Sequence, residues 1–226
     1  MTDYVEDDNM FMEIEMGVLK FTYGVMGSSK SAQALILRHN YDSIGYNVIL
    51  AKPNIDNRWD TEERLITSRI GISAKCKVFD KDDNLINLYL ANMDALRPTL
   101  IIIDEAQFCT AKQINQLKRL SRKIDVFCYG LKTNFKSELF EGSKRLLEIA
   151  DVVEEIPHIC KCGKKAMINA RIVDGKPTVK GEEIVLGGEE KYEAMCYDCF
   201  VKRAGIEKDY DTDYGKDYCK ENERGI

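Results

Sequence analysis

Gly24-Val25-Met26-Gly27-Ser28-Ser29-Lys30-Ser31 (GVMGSSKS) lies between a predicted strand, 18–23, and a predicted helix, 31–41. The segment matches the phosphate-loop pattern G-x-x-x-x-G-K-[ST], except that Ser29 occupies the position of the second glycine. In such a loop, backbone N–H groups at a helix N-terminus bind phosphate oxygens, the lysine reaches the β- and γ-phosphates, and the hydroxyl binds Mg²⁺. We therefore predict that these eight residues bind a nucleoside triphosphate.

Ser29 is the departure from the phosphate-loop pattern. A side chain at this position either crowds the loop or strains a backbone angle that glycine adopts freely. The alternative interpretation of the segment is an ordinary glycine-rich turn. The strand before it and the helix after it favour the phosphate loop.

Predicted strands and helices alternate from this loop to about Asp151. The predicted strands after the loop are 47–52, 77–79, 100–103 and 125–129, the predicted helices are 85–96, 110–122 and 143–150, and 53–73 is a predicted polar loop. This alternation is typical of a doubly wound parallel sheet flanked by helices, and the uninterrupted aliphatic run at 100–103 indicates a strand that is buried on both faces.

Two acidic residues, Asp104 and Glu105, follow this aliphatic run directly. A P-loop fold places a Mg²⁺-supporting carboxylate at such a strand end, and a second acid in a drier place can accept a proton from a substrate hydroxyl. The alternative is that both residues simply begin the loop before the next helix. Asp56 and Arg58 lie in the polar loop after the second strand, where an arginine can neutralise charge on a transferred phosphoryl group.

Four cysteines form two close pairs near the C-terminus, Cys160 with Cys162 and Cys196 with Cys199. Four thiolates complete a tetrahedral structural zinc site, and we favour zinc over redox thiols. Together with the turn residues around 174–177, the cysteines predict a small metal-stapled β module. We predict that His158 is not a zinc ligand. The remaining cysteines in or beside apolar stretches are predicted to be buried, reduced thiols: Cys76, Cys109 and Cys128.

Composition and charge restrict the functional classes. The net charge of −5 argues against nucleic acid as a partner. The acidic segment 1–16 contains no Lys or Arg, so it fits neither a signal nor a transit peptide, and no apolar run approaches the length of a membrane span. We therefore expect a cytoplasmic protein. Its predicted organisation is a flexible N-terminus (1–16), a nucleotide-binding domain (17–156), the cysteine module (157–205) and a disordered acidic tail (206–226).

Several segments, in this order and at this spacing, resemble the cytosolic and bacterial type of thymidine kinase. They extend over most of the chain, and they are Gly24–Ser31, Asp56–Arg58, 68–71 (SRIG), 104–108 (DEAQF), 129–135 (YGLKTNF), 138–140 (ELF), the two cysteine pairs, and Gly187-Gly188 followed by Lys191-Tyr192. D-E-x-Q-F and Y-G-L-x-T-x-F are much more specific than a phosphate loop.

The resemblance assigns roles to the predicted site residues. It implies that Glu105 is the general base that accepts the proton of the deoxyribose 5′-hydroxyl, and that Asp104 supports Mg²⁺. Lys30 and Arg58 are the other implied catalytic residues, and Asp56 faces the phosphates with Arg58. Gln107 lies in the same implied nucleotide-contacting segment.

The resemblance also implies a thymine site. Its apolar walls are Met26, Phe108, Leu131, Phe135 and Phe140. The backbone of a lasso-like segment, Glu183, Ile184, Val185, Leu186 and Gly187, hydrogen-bonds the edge of the base, and Tyr192 closes the site. A flat pyrimidine suits aromatic and apolar walls. For Phe135 and Phe140 the alternative is simple core packing.

The implied function is ATP-dependent phosphorylation of thymidine, and also of deoxyuridine, in nucleotide salvage by a homotetramer with structural zinc. The first alternative is a catalytically weakened, regulatory relative, since Ser29 departs from the family pattern. The second is a zinc-ribbon nucleic-acid-binding module attached to an NTPase, which the acidic balance disfavours.

Overall fold

A six-stranded parallel sheet forms the centre of the molecule, and a smaller three-stranded sheet follows it in the chain. The computed structural model describes residues 17–54, 64–179 and 192–205. In chain order the elements are β1 (Leu19–Tyr23), α1 (Lys30–Ser43), β2 (Asn47–Pro53), β3 (Leu65–Thr67), β4 (Ser73–Lys75), β5 (Lys77–Phe79), α2 (Leu85–Asn92), β6 (Thr99–Ile103), a 3₁₀ turn (Ala106–Phe108), α3 (Ala111–Leu120), β7 (Val126–Gly130), α4 (Glu141–Ile149), β8 (Val152–Glu155), β9 (Ile168–Val173), β10 (Lys176–Thr178), β11 (Tyr192–Met195) and α5 (Tyr197–Ala204).

The large sheet has the strand order β5-β2-β6-β7-β1-β8, and every neighbouring pair is parallel. Its central strand, β6, is buried at all five positions because apolar clusters cover both faces. Ile101 and Ile103 belong to the cluster that contains Leu117 of α3. Leu100 and Ile102 belong to the cluster under α1. The predicted doubly wound α/β fold is therefore confirmed.

The range 53–73, predicted to be mostly polar loop, also contains part of a β-hairpin that was not predicted. Strands β3 and β4 pair antiparallel around a turn at Gly71, whose φ of +85° suits glycine. Ile66 and Ala74 bury their side chains against α1 and the large sheet. Each strand has only three residues, which is too short for a recognisable alternation of apolar and polar positions.

One helix boundary and one additional strand also differ from the predictions. The helix predicted at 85–96 ends at Asn92, because the Asp94 carboxylate accepts a hydrogen bond from the Leu96 backbone N–H (2.9 Å) and so forms a turn that competes with the helix. The edge strand β8 was not predicted. It has four residues, and its valines, Val152 and Val153, are exposed. The other predicted strands and helices are confirmed to within two residues at each end.

The cysteine-containing part of the chain folds around the sheet β10-β9-β11 and helix α5. Its apolar core contains Cys160, Ile168, Met195 and Phe200, and it also contains Val25 of the phosphate loop. The module and the loop therefore share one core. The ranges 1–16 and 206–226, for which flexibility was predicted, lie outside the described residues.

The three cysteines predicted to be buried differ in exposure. Cys109 and Cys128 are buried in the main core, and burial raises the pKa of both thiols. Cys76 is only half-buried, so the prediction was wrong at that position, because it lies beside the exposed hairpin. Within the described ranges, no helix is both long and apolar enough to cross a membrane.

Candidate active site

The predicted phosphate loop connects β1 to α1 and curls around the amino group of Lys30. Lys30 Nζ donates hydrogen bonds to the carbonyl oxygens of Gly24 (3.0 Å) and Val25 (2.8 Å). The loop is tight, since a β-carbon added at Gly24 would lie 2.4 Å from Ser28 Oγ. Ser28 Oγ itself is buried without a hydrogen-bond partner among the described residues. The loop therefore places the buried amino group of Lys30 at the N-terminus of α1, where backbone N–H groups favour bound phosphate.

Ser29 adopts the left-handed conformation that the glycine of the pattern would adopt, with φ 65° and ψ 23°. Its side chain is exposed and makes no capping hydrogen bond to α1 within the described structure. Of the two predicted consequences of this serine, the structure therefore supports backbone strain rather than crowding of the loop.

Asp104 directly follows β6, which is separated from β1 by β7, yet its carboxyl group lies near the start of α1. The Ser31 hydroxyl is close enough to this carboxyl group to lower its pKa, although larger effects outweigh this contribution. Asp104 is only 3% exposed, and burial, together with the neighbouring charge of Glu105, raises its pKa to about 6. Its Oδ1 atom lacks a hydrogen-bond partner among the residues that the structure describes. A carboxylate oxygen with unused acceptor capacity beside a hydroxyl is a donor set that fits Mg²⁺.

Glu105 occupies a strained backbone position beside Asp104, with φ 55°. Gln107 Nε2 donates a 2.5 Å hydrogen bond to Glu105 Oε2, and Gln107 Oε1 accepts one from the Leu131 backbone N–H (3.0 Å). Gln107 is 1% exposed, and its hydrogen bonds to Glu105 and Leu131 are partly buried. Gln107 therefore orients Glu105 against the loop after β7, whereas its contact with nucleotide stays a prediction.

The aromatic residues predicted to surround thymine make contacts of their own. Phe108 and Phe140 meet edge to face, with ring centroids 5.4 Å apart. Phe135 is buried, and the Arg171 guanidinium lies 5.4 Å from its ring. Tyr192 on β11 is paired in register with Arg171 on β9. The structure thus places Phe135 and Tyr192 near the same residue.

Two other predicted wall residues, Met26 and Leu131, are half-buried. Their backbone N–H groups are both held by side-chain amides, Leu131 by Gln107 and Met26 by Asn169. The remaining predicted site residues, Asp56, Arg58 and Glu183–Gly187, lie outside the described residues.

Asn169 is a residue of this region that sequence reasoning missed. Its Oδ1 accepts a 2.7 Å hydrogen bond from the Met26 backbone N–H, and its Nδ2 donates a 3.3 Å bond to the Thr133 carbonyl. It therefore joins the module to the phosphate loop and to the loop after β7. The available signal was an asparagine between Ile168 and Ala170 in an apolar strand, because a buried amide needs partners.

The four paired cysteines converge, as predicted. The sulfur atoms of Cys160, Cys162, Cys196 and Cys199 all lie within 4.8 Å of one another. Four thiolates around one zinc ion at Zn–S distances of about 2.3 Å require separations of this order. Backbone N–H groups of Cys162 and Cys196 lower the pKa of the Cys160 thiol to about 6, whereas hydrogen bonds with the other three thiols raise the pKa of Cys199 to about 12. This cluster is able to hold zinc, and His158 is not one of its members.

Comparisons with known proteins agree with this geometry. The model of the family described as "Thymidine kinase" matches residues 17–200. The chain is 40% identical over 184 residues to the thymidine kinase of Enterobacteria phage T4, covering 80% of this chain and 94% of that protein. It is 39% identical over 184 residues to the thymidine kinase of Shewanella oneidensis, with 80% and 95% covered.

A third relative is the thymidine kinase of Chromobacterium violaceum, which is 41% identical over 188 residues that cover 82% of this chain and 98% of that protein. The matched range contains the phosphate loop, the acids at the end of β6 and the four clustered cysteines. Since family match and relatives both extend over most of its length, the chain belongs to the thymidine kinase family.

Proposed function

We propose that this protein transfers the γ-phosphoryl group of ATP to the 5′-hydroxyl of thymidine, with Glu105 as the general base. The observation that carries the proposal is the position of Glu105. Gln107 holds its carboxylate beside Asp104, and Asp104 in turn meets Ser31 at the end of the phosphate loop. Phosphoryl transfer to a hydroxyl requires a proton acceptor next to the phosphate-binding elements, and this position of Glu105 supports the proposal.

The phosphate loop, Lys30 and Ser31 bind the triphosphate in this proposal. Ser31 and Asp104 would hold Mg²⁺, and the unused Oδ1 of Asp104 supports this assignment. Neutralisation of phosphate charge is the chemistry that Mg²⁺ held by these two residues would supply. Arg58, with Asp56, faces the transferred group and stabilises its charge.

Thymidine binds between the apolar walls and the lasso-like segment. Met26, Phe108, Leu131, Phe135 and Phe140 surround the base, the backbone of Glu183–Gly187 reads its edge, and Tyr192 closes the site. Gln107 links Glu105 to Leu131, so the general base Glu105 and this wall of the thymine site are positioned together. Deoxyuridine fits the same walls, and we include it as a substrate.

Zinc held by the four clustered cysteines has a structural role, because four thiolates leave no open coordination position. We further propose that the protein acts in the cytoplasm as a homotetramer in nucleotide salvage, as the family resemblance implies. Light scattering coupled to size-exclusion chromatography tests the tetramer. The relatives reported above are all named thymidine kinases, which favours catalysis over a weakened regulatory relative.

The first prediction tests whether Glu105 is the general base. Glu105→Gln preserves the size of the side chain and an acceptor for Gln107, but it removes the proton acceptor. We expect kcat for thymidine phosphorylation to fall by about 10²–10⁴-fold, while ATP binding measured by calorimetry stays within about twofold.

Glu148→Gln is the control for this prediction, because Glu148 lies on the exposed face of α4, where it pairs with Arg145. It should keep the turnover of the wild-type protein. Near-normal turnover of Glu105→Gln would remove Glu105 from the role of base. Wild-type protein that binds ATP but does not convert thymidine to its monophosphate would contradict the function itself.

A further inference from the structure

Arg69 lies at the tip of the β3–β4 hairpin and reaches the phosphate loop. A β-carbon built on Gly27 would lie 3.0 Å from Arg69 Nη1 and 3.8 Å from His158 Nε2. Gly27 is the fourth residue of the loop, and its φ is +84°. The Arg69 guanidinium is therefore packed against the backbone of the phosphate loop, although 42 positions separate the two residues along the chain.

The phosphates that the loop is proposed to bind carry the negative charge of the nucleotide, so a positively charged side chain beside Gly27 can stabilise them. The loop bends its backbone around bound phosphates, and Lys30 approaches them from the start of α1. A guanidinium beside Gly27 approaches the same phosphates from the hairpin. Arginine presents several N–H donors in a planar fork that matches phosphate oxygens bidentately. The segment 68–71 belongs to the family resemblance, but no role has been assigned to it above.

The hairpin holds Arg69 firmly enough for such a role. Ser68 is buried, its backbone N–H donates to the Ile72 carbonyl (2.9 Å), and the Gly71 N–H donates to the Ser68 carbonyl (3.1 Å). The strands of the hairpin are fixed to the body of the protein, because Ile66 and Ala74 pack in the core that also contains Leu35 of α1. The arginine side chain itself is exposed, so incoming phosphates can reach it.

We propose that Arg69 binds the γ-phosphate of the nucleotide and stabilises the negative charge that develops on the transferred group. This inference rests on the proposed function and adds a catalytic residue from an element that was not predicted. The phosphoryl group passes from ATP to the 5′-oxygen, ADP leaves, and the hydroxyl proton passes to Glu105. Arg69 changes only the charge stabilisation of this transfer.

The test compares Arg69→Gln, Arg69→Lys and the control Arg64→Gln. Arg64 lies at the open end of the same hairpin, where its carbonyl accepts the Cys76 backbone N–H (2.9 Å), so its substitution removes an equal charge from the same element. We expect Arg69→Gln to lower kcat/KM for ATP by about 10²–10³-fold. Arg69→Lys should recover part of this loss, because lysine restores charge but not the fork. The KM for thymidine should stay within about twofold.

Binding measurements separate a phosphate contact from a structural effect. Arg69→Gln should weaken binding of a non-hydrolysable ATP analogue by about tenfold or more and binding of ADP by less than twofold, because only the analogue carries the terminal phosphate. Equal losses for both nucleotides, or equal losses in Arg69→Gln and Arg64→Gln, would overturn the inference.

The binding comparison also keeps this inference separate from the proposed function. It requires no turnover, so a wild-type protein that fails to phosphorylate thymidine would contradict the function while the role of Arg69 is still decided. Thermal unfolding of each variant checks the fold. Since the Arg69 side chain is exposed, we expect its substitutions to leave the melting temperature nearly unchanged.

Discussion

Two residues of the site, Ser29 and Glu105, adopt the left-handed backbone region that disfavours side chains. Such strain persists only where the surrounding structure over-determines the backbone, and it concentrates at functional sites. At Glu105 the strain aims a carboxylate at Gln107, so it serves the geometry of the site. At Ser29 the exposed side chain makes no capping contact within the described structure, so the strain has no evident benefit.

Ser29→Gly should therefore relieve strain and improve the nucleotide site. Left-handed backbone costs a non-glycine residue roughly 1–2 kcal/mol, and the greater freedom of glycine in the unfolded chain offsets about half of the gain. We expect the folded state to gain on the order of 1 kcal/mol and the KM for ATP to fall, while the KM for thymidine stays unchanged. Denaturant unfolding and steady-state kinetics measure these effects.

Ser137→Gly is the matched control for Ser29→Gly, because Ser137 is also an exposed serine with a positive φ of 66°. It should give a similar gain in stability without lowering the KM for ATP. Weaker ATP binding in Ser29→Gly would show instead that the serine is a functional part of the loop.

The buried charge of Asp104 destabilises the folded protein at neutral pH, although the proposed function requires this carboxylate. Burial and Glu105 raise its pKa to about 6 from the usual value near 3.8, so the folded state binds a proton more readily than the unfolded chain. This contribution to stability is fully present below about pH 4 and is lost as the pH rises to 6. In metal-free protein at pH 7, the buried charge of Asp104 therefore lowers the free energy of unfolding by on the order of 3 kcal/mol, relative to the protonated carboxyl group.

Asp104→Asn should consequently raise the melting temperature of metal-free protein at pH 7 while abolishing turnover. Asp151→Asn should change the melting temperature in the opposite direction, because hydrogen bonds from Lys118 and from the Leu19 backbone lower the pKa of the Asp151 carboxyl group. Ionised Asp151 therefore stabilises the folded protein at neutral pH, and this stabilisation is lost in acid. The variant should be less stable than wild type at pH 7. A melting temperature of Asp104→Asn below that of wild type would contradict the argument.

At the scale of elements, the phosphate loop depends on a strand that lies 143 positions further along the chain. Asn169 of β9 accepts the Met26 N–H and donates to the Thr133 carbonyl, and Val25 is packed in the core of the module. The conformation of the loop is thus set partly by the small sheet. On the hairpin side, the Arg69 guanidinium of the β3–β4 hairpin lies beside Gly27 of the loop.

Asn169→Leu should disturb both substrate sites. Leucine leaves the Met26 N–H without its acceptor, and a lost buried hydrogen bond of this kind costs about 1–3 kcal/mol. We expect lower thermal stability and a higher KM for both ATP and thymidine. Asn92→Leu is the control, because it also removes an amide hydrogen bond, to the Leu88 carbonyl (2.8 Å), but far from the site. Equal kinetic effects of the two substitutions would contradict a specific role for Asn169.

At the scale of the whole molecule, the cysteine cluster stabilises the module on which the loop rests. Metal analysis should find about one zinc ion per chain, and Cys196→Ser should release it. Because structural zinc contributes on the order of 10 kcal/mol to a small module, its loss should lower the melting temperature and weaken binding of thymidine and ATP together.

Cys76→Ser is the control for the zinc prediction, since Cys76 is half-buried and lies outside the cluster. It should keep its zinc and its activity. Protein that retains full stability and activity after the metal has been removed would show that the cluster has no structural role.

Four features could be read from the amino-acid sequence without the structure: the parallel α/β fold, the phosphate loop, the acids after β6 and the clustering cysteines. These features are encoded by local patterns, such as a long aliphatic run before Asp104 or a glycine-rich turn before Lys30, whose meaning depends on few distant partners. Even the strain at Ser29 could be predicted, since the pattern specifies a glycine conformation there.

Only the tertiary structure decided which distant residues meet at the site. The hydrogen bond between Met26 and Asn169, the link from Glu105 through Gln107 to Leu131, and the approach of Arg69 to Gly27 all arise from packing between separate elements. A short hairpin strand or a single buried asparagine carries too little periodicity to reveal its partner. Such contacts are set by burial and by hydrogen-bond satisfaction across the whole fold, so no local pattern contains them.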